Sequence, residues 1–340
     1  MEYPVRPDKQ SRSRALLLLF GAAAALLLVG FICSLKWGQA RISWHMLYEA
    51  LTLQGGDKEH LYIRTLRLPR ALTAGMVGMM LALAGLLTQL TTKNPLASPH
   101  IFGINAGAAL AVVIGLVTVE RFGATEAMLF AFAGAAAGAF LIWSLAGSGR
   151  QQPVRLALAG ITIHFLLSSV TEGLIILNQH STDSILFWLV GSVSQAGWLD
   201  VRAIAPFFAG GLLAFALLLP SFRLLLMEDE LAAGLGQRVK VVRAASMLLV
   251  IVLSGSAVAI CGPIGFVCLI VPHIARALVG GSLYVLAPLA ALLGGAMLVF
   301  ADLASRFIAF PFESPVGIVT SAIGAPFFIY LARRKGGARS

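Results

Sequence analysis

The chain has 340 residues, of which 59% are hydrophobic and 12% are charged, whereas soluble domains carry roughly 25% charged residues. This composition excludes a water-soluble enzyme. It predicts an all-α integral membrane protein, because the alternating segments of a membrane β-barrel are absent from the sequence. The net charge is +10. In so apolar a chain we attribute this excess to loops on the cytoplasmic side rather than to nucleic-acid binding.

Charge-poor windows predict about ten transmembrane helices, since roughly 20 apolar residues cross the hydrocarbon core. The windows are 15–35, 69–90, 101–119, 124–146, 156–177, 199–219, 241–260, 264–280, 283–304 and 314–332. They form a single transmembrane domain with a short tail at either end, and the three parts are 1–14, 15–332 and 333–340. Both tails are basic and the number of spans is even, so we expect both termini in the cytoplasm.

One segment on the predicted extracytoplasmic side carries many Lys and Arg, although most cations are expected on the cytoplasmic side. The topology puts 16 Lys and Arg on the cytoplasmic side and 9 outside. Six of the outer nine cluster before or at the second span, namely Lys36, Arg41, Lys58, Arg64, Arg67 and Arg70. Two interpretations remain open: an interfacial segment whose cations reach the lipid headgroups, or a docking surface for an acidic soluble partner.

Sequence signatures of catalysis are missing. None of the six lysines follows a glycine, so there is no phosphate-binding loop for ATP. The six histidines and three cysteines lack metal-site spacing, and no nucleophile-elbow motif occurs. We therefore predict no catalytic residue, no metal site and no cofactor. If ATP drives this protein, another subunit hydrolyses it.

Carboxylates inside the predicted spans are few, and the two that we single out are Glu172 and Asp302. Intramembrane carboxylates suggest proton relays or pathway linings. Both lie toward the outer ends of their spans, where we expect water to reach them. A stand-alone, ion-coupled secondary transporter would need these two groups, and it remains the alternative from a different functional class.

Four stretches carry a resemblance when taken together. The first runs from Arg67-Leu-Pro-Arg70 to KNPLASPHIFGINAG at 93–107, and the second is MEDELAAGLG at 227–236. The third is CGPIGFVCLIVPHIAR at 261–276, and the last combines ADLASR at 301–306 with ESPVGIVT at 313–320 and GAPFF at 324–328. In this order and spacing they resemble the FecCD family, the permease subunits of bacterial ABC importers for iron-siderophore, haem and cobalamin.

The resemblance implies a permease in the bacterial cell membrane that pairs with a second copy or a paralogue around a central pathway. Cytoplasmic ATPases would power it, and an extracytoplasmic binding protein would deliver the cargo. The 94–107 stretch looks more like siderophore members than cobalamin members, so iron(III)-siderophore uptake is the favoured function. Haem or cobalamin import is the alternative within this class.

The resemblance also implies site residues. Arg67, Arg70 and Arg306 would dock the binding protein, because arginine offers a planar fork to carboxylates. The second, fifth and eighth spans would line the pathway, with Gln152, Pro153 and Val154 before the fifth span and Glu172 within it.

The segment 224–236 would couple the permease to the ATPase. Three acids follow a leucine-rich entry, near a helix start where the macrodipole favours them, and Gly236 would end the helix. The chain departs from the family at Met227-Glu228-Asp229, where members commonly read Leu-Gly-Glu. The expected coupling residues are Met227, Glu228, Asp229, Glu230, Leu235 and Gly236.

Overall fold

A computed structural model describes residues 9–38, 42–54, 56–146, 152–178 and 188–336. Across these ranges the regular secondary structure is helical. The helices are α1 (Lys9–Lys36), α2 (Trp44–Leu51), α3 (Lys58–Tyr62), α4 (Leu68–Thr91), α5 (Ile104–Thr118), α6 (Ala124–Ala146), α7 (Gln152–Leu177), α8 (Trp198–Leu224), α9 (Asp229–Gly234), α10 (Val239–Cys261), α11 (Val267–Val279), α12 (Leu283–Ile308) and α13 (Val316–Gly336). Residues 1–8 and 337–340 of the expected tails lie outside the described residues.

Each of the ten predicted spans coincides with one of these helices, which confirms the all-α membrane fold. In the described part of the chain, seven helices are long and apolar enough to cross a membrane. The helices at the other three predicted spans are shorter, and their apolar stretches cover residues 104–118, 267–279 and 316–330. The sequence explains the shortening of two of them. A turn at Pro99–Phe102 ends in the left-handed residue Gly103 just before α5, and Gly262 and Phe266 adopt positive φ before α11.

Helix α4 is the centre of the bundle. It continues α3 through a π-helical turn at Ile63–Arg67, and it packs against α1, α8, α10, α11 and α12. Nearly all of its residues are buried by the chain itself. The second span is therefore packed on most sides by helices of its own chain, and its role in lining the pathway stays a prediction.

Helices α4 and α12 cross at a pair of glycines. A Cβ added to Gly78 would stand 2.2 Å from the carbonyl oxygen of Gly294, and one added to Gly294 would stand 2.4 Å from that of Gly78. Gly75, one turn earlier on α4, has more room, since its Cβ would meet only Val299 Cγ2 at 3.9 Å. Small residues thus let the two backbones touch, as is common between membrane helices.

We expect Gly78→Ala to destabilise the fold by about 1–3 kcal/mol, because the added methyl overpacks a backbone contact that cannot rotate away. Gly75→Ala is the matched control. Its methyl fits an ordinary contact and improves helix propensity, so its stability should be equal or higher. Thermal unfolding of the two variants in detergent measures the difference. Equal destabilisation by both would show that the close crossing is not what constrains this position.

The two ends of α4 carry different motifs. Arg67 and Arg70 lie at its start, and Lys93 follows its end. The helix has 24 residues, which is about 36 Å at a rise of about 1.5 Å per residue. The predicted docking arginines and the predicted coupling segment, which Lys93 contacts, therefore lie at opposite ends of the bundle.

Candidate functional site

Near the N-terminal end of α4, Arg70 and Arg306 both bind the buried carboxylate of Asp302. Arg70 donates to both oxygens of Asp302 at 2.8 to 3.1 Å, and its Nη1 donates to Glu313 Oε2 at 2.6 Å. Arg306 reaches the same carboxylate from one helical turn away. It also donates to the carbonyl and the hydroxyl of Ser34, each at 2.7 Å. The four charged groups therefore form one hydrogen-bonded network.

Arg67 joins the cluster through backbone carbonyls and an aromatic ring. Its Nη1 donates to the carbonyl oxygens of Leu35 and Lys36, each at 2.8 Å, and its guanidinium lies 5.1 Å from the centre of the Tyr62 ring. These carbonyls belong to the last turn of α1, where a cation complements the helix dipole. The three arginines thus tie α1, α4, α12 and the segment before α13 together.

Burial changes how this cluster is interpreted. Arg67, Arg70 and Arg306 are only 3%, 7% and 3% exposed, and Asp302 is 1% exposed. The expectation that water reaches Asp302 is wrong, because two arginines and the surrounding helices cover it. The structure brings together all three predicted docking arginines, yet it points their donors into the chain. Direct contact with a partner stays a prediction that requires these donors to change acceptors.

The predicted coupling segment forms a short helix at the other end of α4. Glu228 precedes α9 in an extended conformation, and Asp229 and Glu230 occupy its first turn. Gly236 has φ +83°, and its N–H donates to the Ala233 carbonyl at 2.9 Å. Left-handed backbone at this position is typical of a helix terminator and favours glycine. The predicted helix start and stop are therefore confirmed.

Asp229 fixes α9 to the bundle. Lys93 Nζ donates to Asp229 at 3.0 Å and to the Met227 carbonyl at 2.7 Å, and Arg243 donates to Asp229 at 2.9 Å. The hydrogen bond from Lys93, supported by the charge of Arg243, lowers the pKa of Asp229. Because folding lowers the pKa of Asp229, the interactions of its carboxylate with Lys93 and Arg243 stabilise the fold at neutral pH. Its contribution is lost only as the pH falls through the lowered pKa.

Around this anchor the segment exposes apolar side chains. Met227, Leu231 and Leu235 are 41%, 62% and 65% exposed. Met227 and Leu235 are among the predicted coupling residues, but Leu231 is not. Its spacing of four residues from Leu235 would have placed both on one helix face. The segment thus combines a fixed position with an apolar surface that its own chain leaves uncovered.

The predicted pathway and gate residues lie on α7. Gln152, Pro153 and Val154 form its first turn, and their side chains are outside the described part of the chain. Glu172 is exposed. The same helix exposes a series of large apolar side chains: Leu158, Ile161, Phe165, Leu166, Val170 and Ile176. The gating role of the four predicted residues, Gln152, Pro153, Val154 and Glu172, stays a prediction.

Comparison with known proteins identifies the group to which this architecture belongs. The family model of the FecCD transport family matches residues 26–334. The chain belongs to the FecCD transport family. It is 46% identical, over 95% of its length and 96% of the relative, to the Fe(3+)-citrate import system permease protein YfmD of Bacillus subtilis. It is 41% identical, over 91% of its length and 93% of the relative, to a siderophore transport system permease protein of that species, YfiZ.

A solved structure shares this FecCD fold. The chain superposes on a metal-chelate type ABC transporter in an inward-facing conformation with a TM-score of 0.79 and 29% identity, covering 93% of this chain and 99% of the other. Together with the seven membrane-length helices among the described residues, this makes the FecCD chain a multi-pass membrane protein of a transport family.

Proposed function

We propose that the chain is the permease subunit of an ABC importer that carries iron(III) chelates, with iron(III)-siderophore complexes as the cargo class. The observation that carries this proposal is the match to FecCD permeases along nearly the whole chain. The two relatives described above are named for Fe(3+)-citrate and siderophore transport. Their names favour an iron(III) chelate over haem or cobalamin.

The two ends of α4 support an assignment of partners. The short helix α9 is anchored by Asp229 and exposes Leu231 and Leu235, which suits a cytoplasmic ATPase that must transmit force to the bundle. The opposite end holds the arginine cluster, where an extracytoplasmic binding protein would deliver cargo. The apolar face of α7 suits a second permease copy or a paralogue. Under this assignment of partners, both termini would lie on the cytoplasmic side of the cell membrane.

The alternative of an ion-coupled carrier has little structural support. Such a carrier needs a carboxylate that loads and releases ions during transport. Asp302 is held by Arg70 and Arg306 and is sealed from water, so it is committed to the fold. Glu172 is exposed on the surface of α7. The ion-coupled alternative requires these two carboxylates, and only Glu172 remains available for it.

Reconstitution tests the proposal. Proteoliposomes containing the chain and its cognate ATPase, supplied with the binding protein and radioactive iron(III) citrate or iron(III) siderophore, should accumulate iron only when ATP is enclosed on the ATPase side. Uptake should persist after ionophores collapse all ion gradients. Omitting the ATPase is the matched control. Gradient-driven uptake by the chain alone would contradict the ABC importer and return attention to Glu172.

A further inference from the structure

A cavity of about 550 Å³ opens beside the coupling segment, between the last turns of α4 and α11 and the end of α8. One part of its wall is apolar and the rest carries polar groups. The apolar side of the lining includes Leu90, Leu225 and Leu226, and the polar side is formed by Gln89, Lys93, His273 and Arg276. Sequence motifs assigned no role to Gln89.

Gln89 supplies a buried donor that has no acceptor. Arg276 Nη2 donates to Gln89 Oε1 at 3.2 Å. Because a guanidinium can only donate, this bond fixes which end of the amide is the oxygen. The other end, Nε2, has no hydrogen-bond partner within the described structure, although Gln89 is only 3% exposed. A buried donor left without an acceptor costs free energy, and an acceptor that reached Nε2 from the cavity that Gln89 lines would remove that cost.

Arg276 adds a positive charge that has no carboxylate partner among the described residues. Within the described ranges no carboxylate lies at salt-bridge distance from it, and its hydrogen bond goes to the neutral amide of Gln89. Lys93 differs, since it is engaged with Asp229 and the Met227 carbonyl. The nearby Asp229 is neutralised by Lys93 and Arg243. The cavity therefore offers one unbalanced cation and one unused donor, which together suit an oxyanion.

The level of the cavity relative to the helix ends indicates the source of that oxyanion. Gln89 lies two residues before the end of α4, and Arg276 lies three before the end of α11. Both are thus within about 5 Å of a helix end, at the level of lipid headgroups rather than of acyl chains. Leu225 and Leu226 provide an apolar wall beside them. Basic pockets between membrane helices on the cytoplasmic side bind anionic headgroups in this way.

We propose that this cavity binds an anionic phospholipid of the adjoining leaflet. Gln89 Nε2 and the Arg276 guanidinium would donate to its phosphate oxygens, and Leu225 and Leu226 would contact its acyl chain. The site goes beyond the transport function and does not depend on the identity of the cargo. It would hold the end of α4 and the end of α11 to the membrane surface beside the coupling segment.

Native mass spectrometry of the detergent-purified chain tests the site with three probes: phosphatidylglycerol, phosphatidylcholine and inorganic phosphate. We expect phosphatidylglycerol to bind about tenfold more tightly than phosphatidylcholine, and Arg276→Gln to abolish that preference. Arg223→Gln is the matched control, because Arg223 is an exposed arginine at the same end of the bundle that does not line the cavity. It should bind as the unaltered chain does.

A second variant covers the case in which Arg276→Gln fails to fold. Ala277→Phe keeps the charge but fills the cavity that Ala277 lines, and it should weaken phosphatidylglycerol about tenfold as well. Unchanged lipid preference in both variants overturns the proposal. Inorganic phosphate that displaces the lipid at equal concentration would indicate a free-anion site instead. Loss of ATPase association in Arg276→Gln with lipid binding intact would make the cavity a protein-docking site and overturn the lipid assignment.

Discussion

Asp302→Asn is expected to destabilise the chain by about 3–5 kcal/mol, the cost of breaking a buried ion pair by removing one partner. Asp302 is 1% exposed and accepts hydrogen bonds from both Arg70 and Arg306. Asparagine keeps the shape of the side chain but removes the charge that balances two buried guanidinium groups. Thermal unfolding and the yield of monodisperse protein in mild detergent measure the effect.

The same substitution at an exposed pair is the matched control. Asp229 also accepts from two cations, but its side chain is 48% exposed. Solvent screening limits such pairs to below about 1 kcal/mol, so Asp229→Asn should unfold close to the unaltered chain. If the two variants are equally stable, the buried network does not hold α4 to α12, and Asp302 is not the group that joins them.

This network also determines how docking can be tested. Charge reversal at Arg67 or Arg306 would place a carboxylate among the carbonyls of α1 or beside Asp302, and the fold would suffer first. Loss of uptake in such variants would not separate docking from folding. Glu313 is a better position, because it is the partly exposed member of the network, with 24% of its side chain accessible.

The helices were predictable because hydrophobic length is a local property of the sequence. Each of the ten windows reports on its own segment and needs no knowledge of the others. The end of α9 was predictable for the same reason, since Gly236 serves a backbone conformation that glycine favours. Asp302 and Arg306 are also four residues apart, which puts them on one helix face, so this pair was readable from the chain.

Contacts between distant segments were not predictable. Arg70 and Asp302 are separated by 232 positions, and no periodicity connects them. The sequence therefore presented Arg70 as an outer cation free to dock and Asp302 as a carboxylate near water. The pairing of Gln89 with Arg276, 187 positions apart, was hidden for the same reason. Side-chain burial in a bundle depends on which helices become neighbours, and a single sequence does not encode that in any local pattern.

Replacing Leu231 and Leu235 together with Asp should abolish binding of the ATPase to the permease. Burying a leucine side chain contributes roughly 1.5–3 kcal/mol. Losing two such contacts should therefore weaken the complex by more than about 100-fold. The two side chains are 62% and 65% exposed. The permease itself should therefore fold with unchanged thermal stability, because surface substitutions of this kind cost little.

Leu53→Asp is the control for the loss of an exposed leucine. Leu53 is 79% exposed and follows α2, in the outer segment near the arginine cluster, so the ATPase assigned to α9 should not contact it. Co-purification of tagged permease with the ATPase, quantified as a subunit ratio, compares the three proteins. The double variant should lose the ATPase while the control retains it.

Asp229 explains how binding at α9 would be coupled to the bundle. Lys93, which follows α4, and Arg243, in the first turns of α10, both hold α9 through this one carboxylate. Under the proposed function, a displacement of α9 by the ATPase would therefore reach these two parts of the bundle rather than be absorbed by a loose loop. Full ATPase binding by the double leucine variant, with iron uptake intact, would show that coupling runs through another surface, and the assignment of 224–236 would then be wrong.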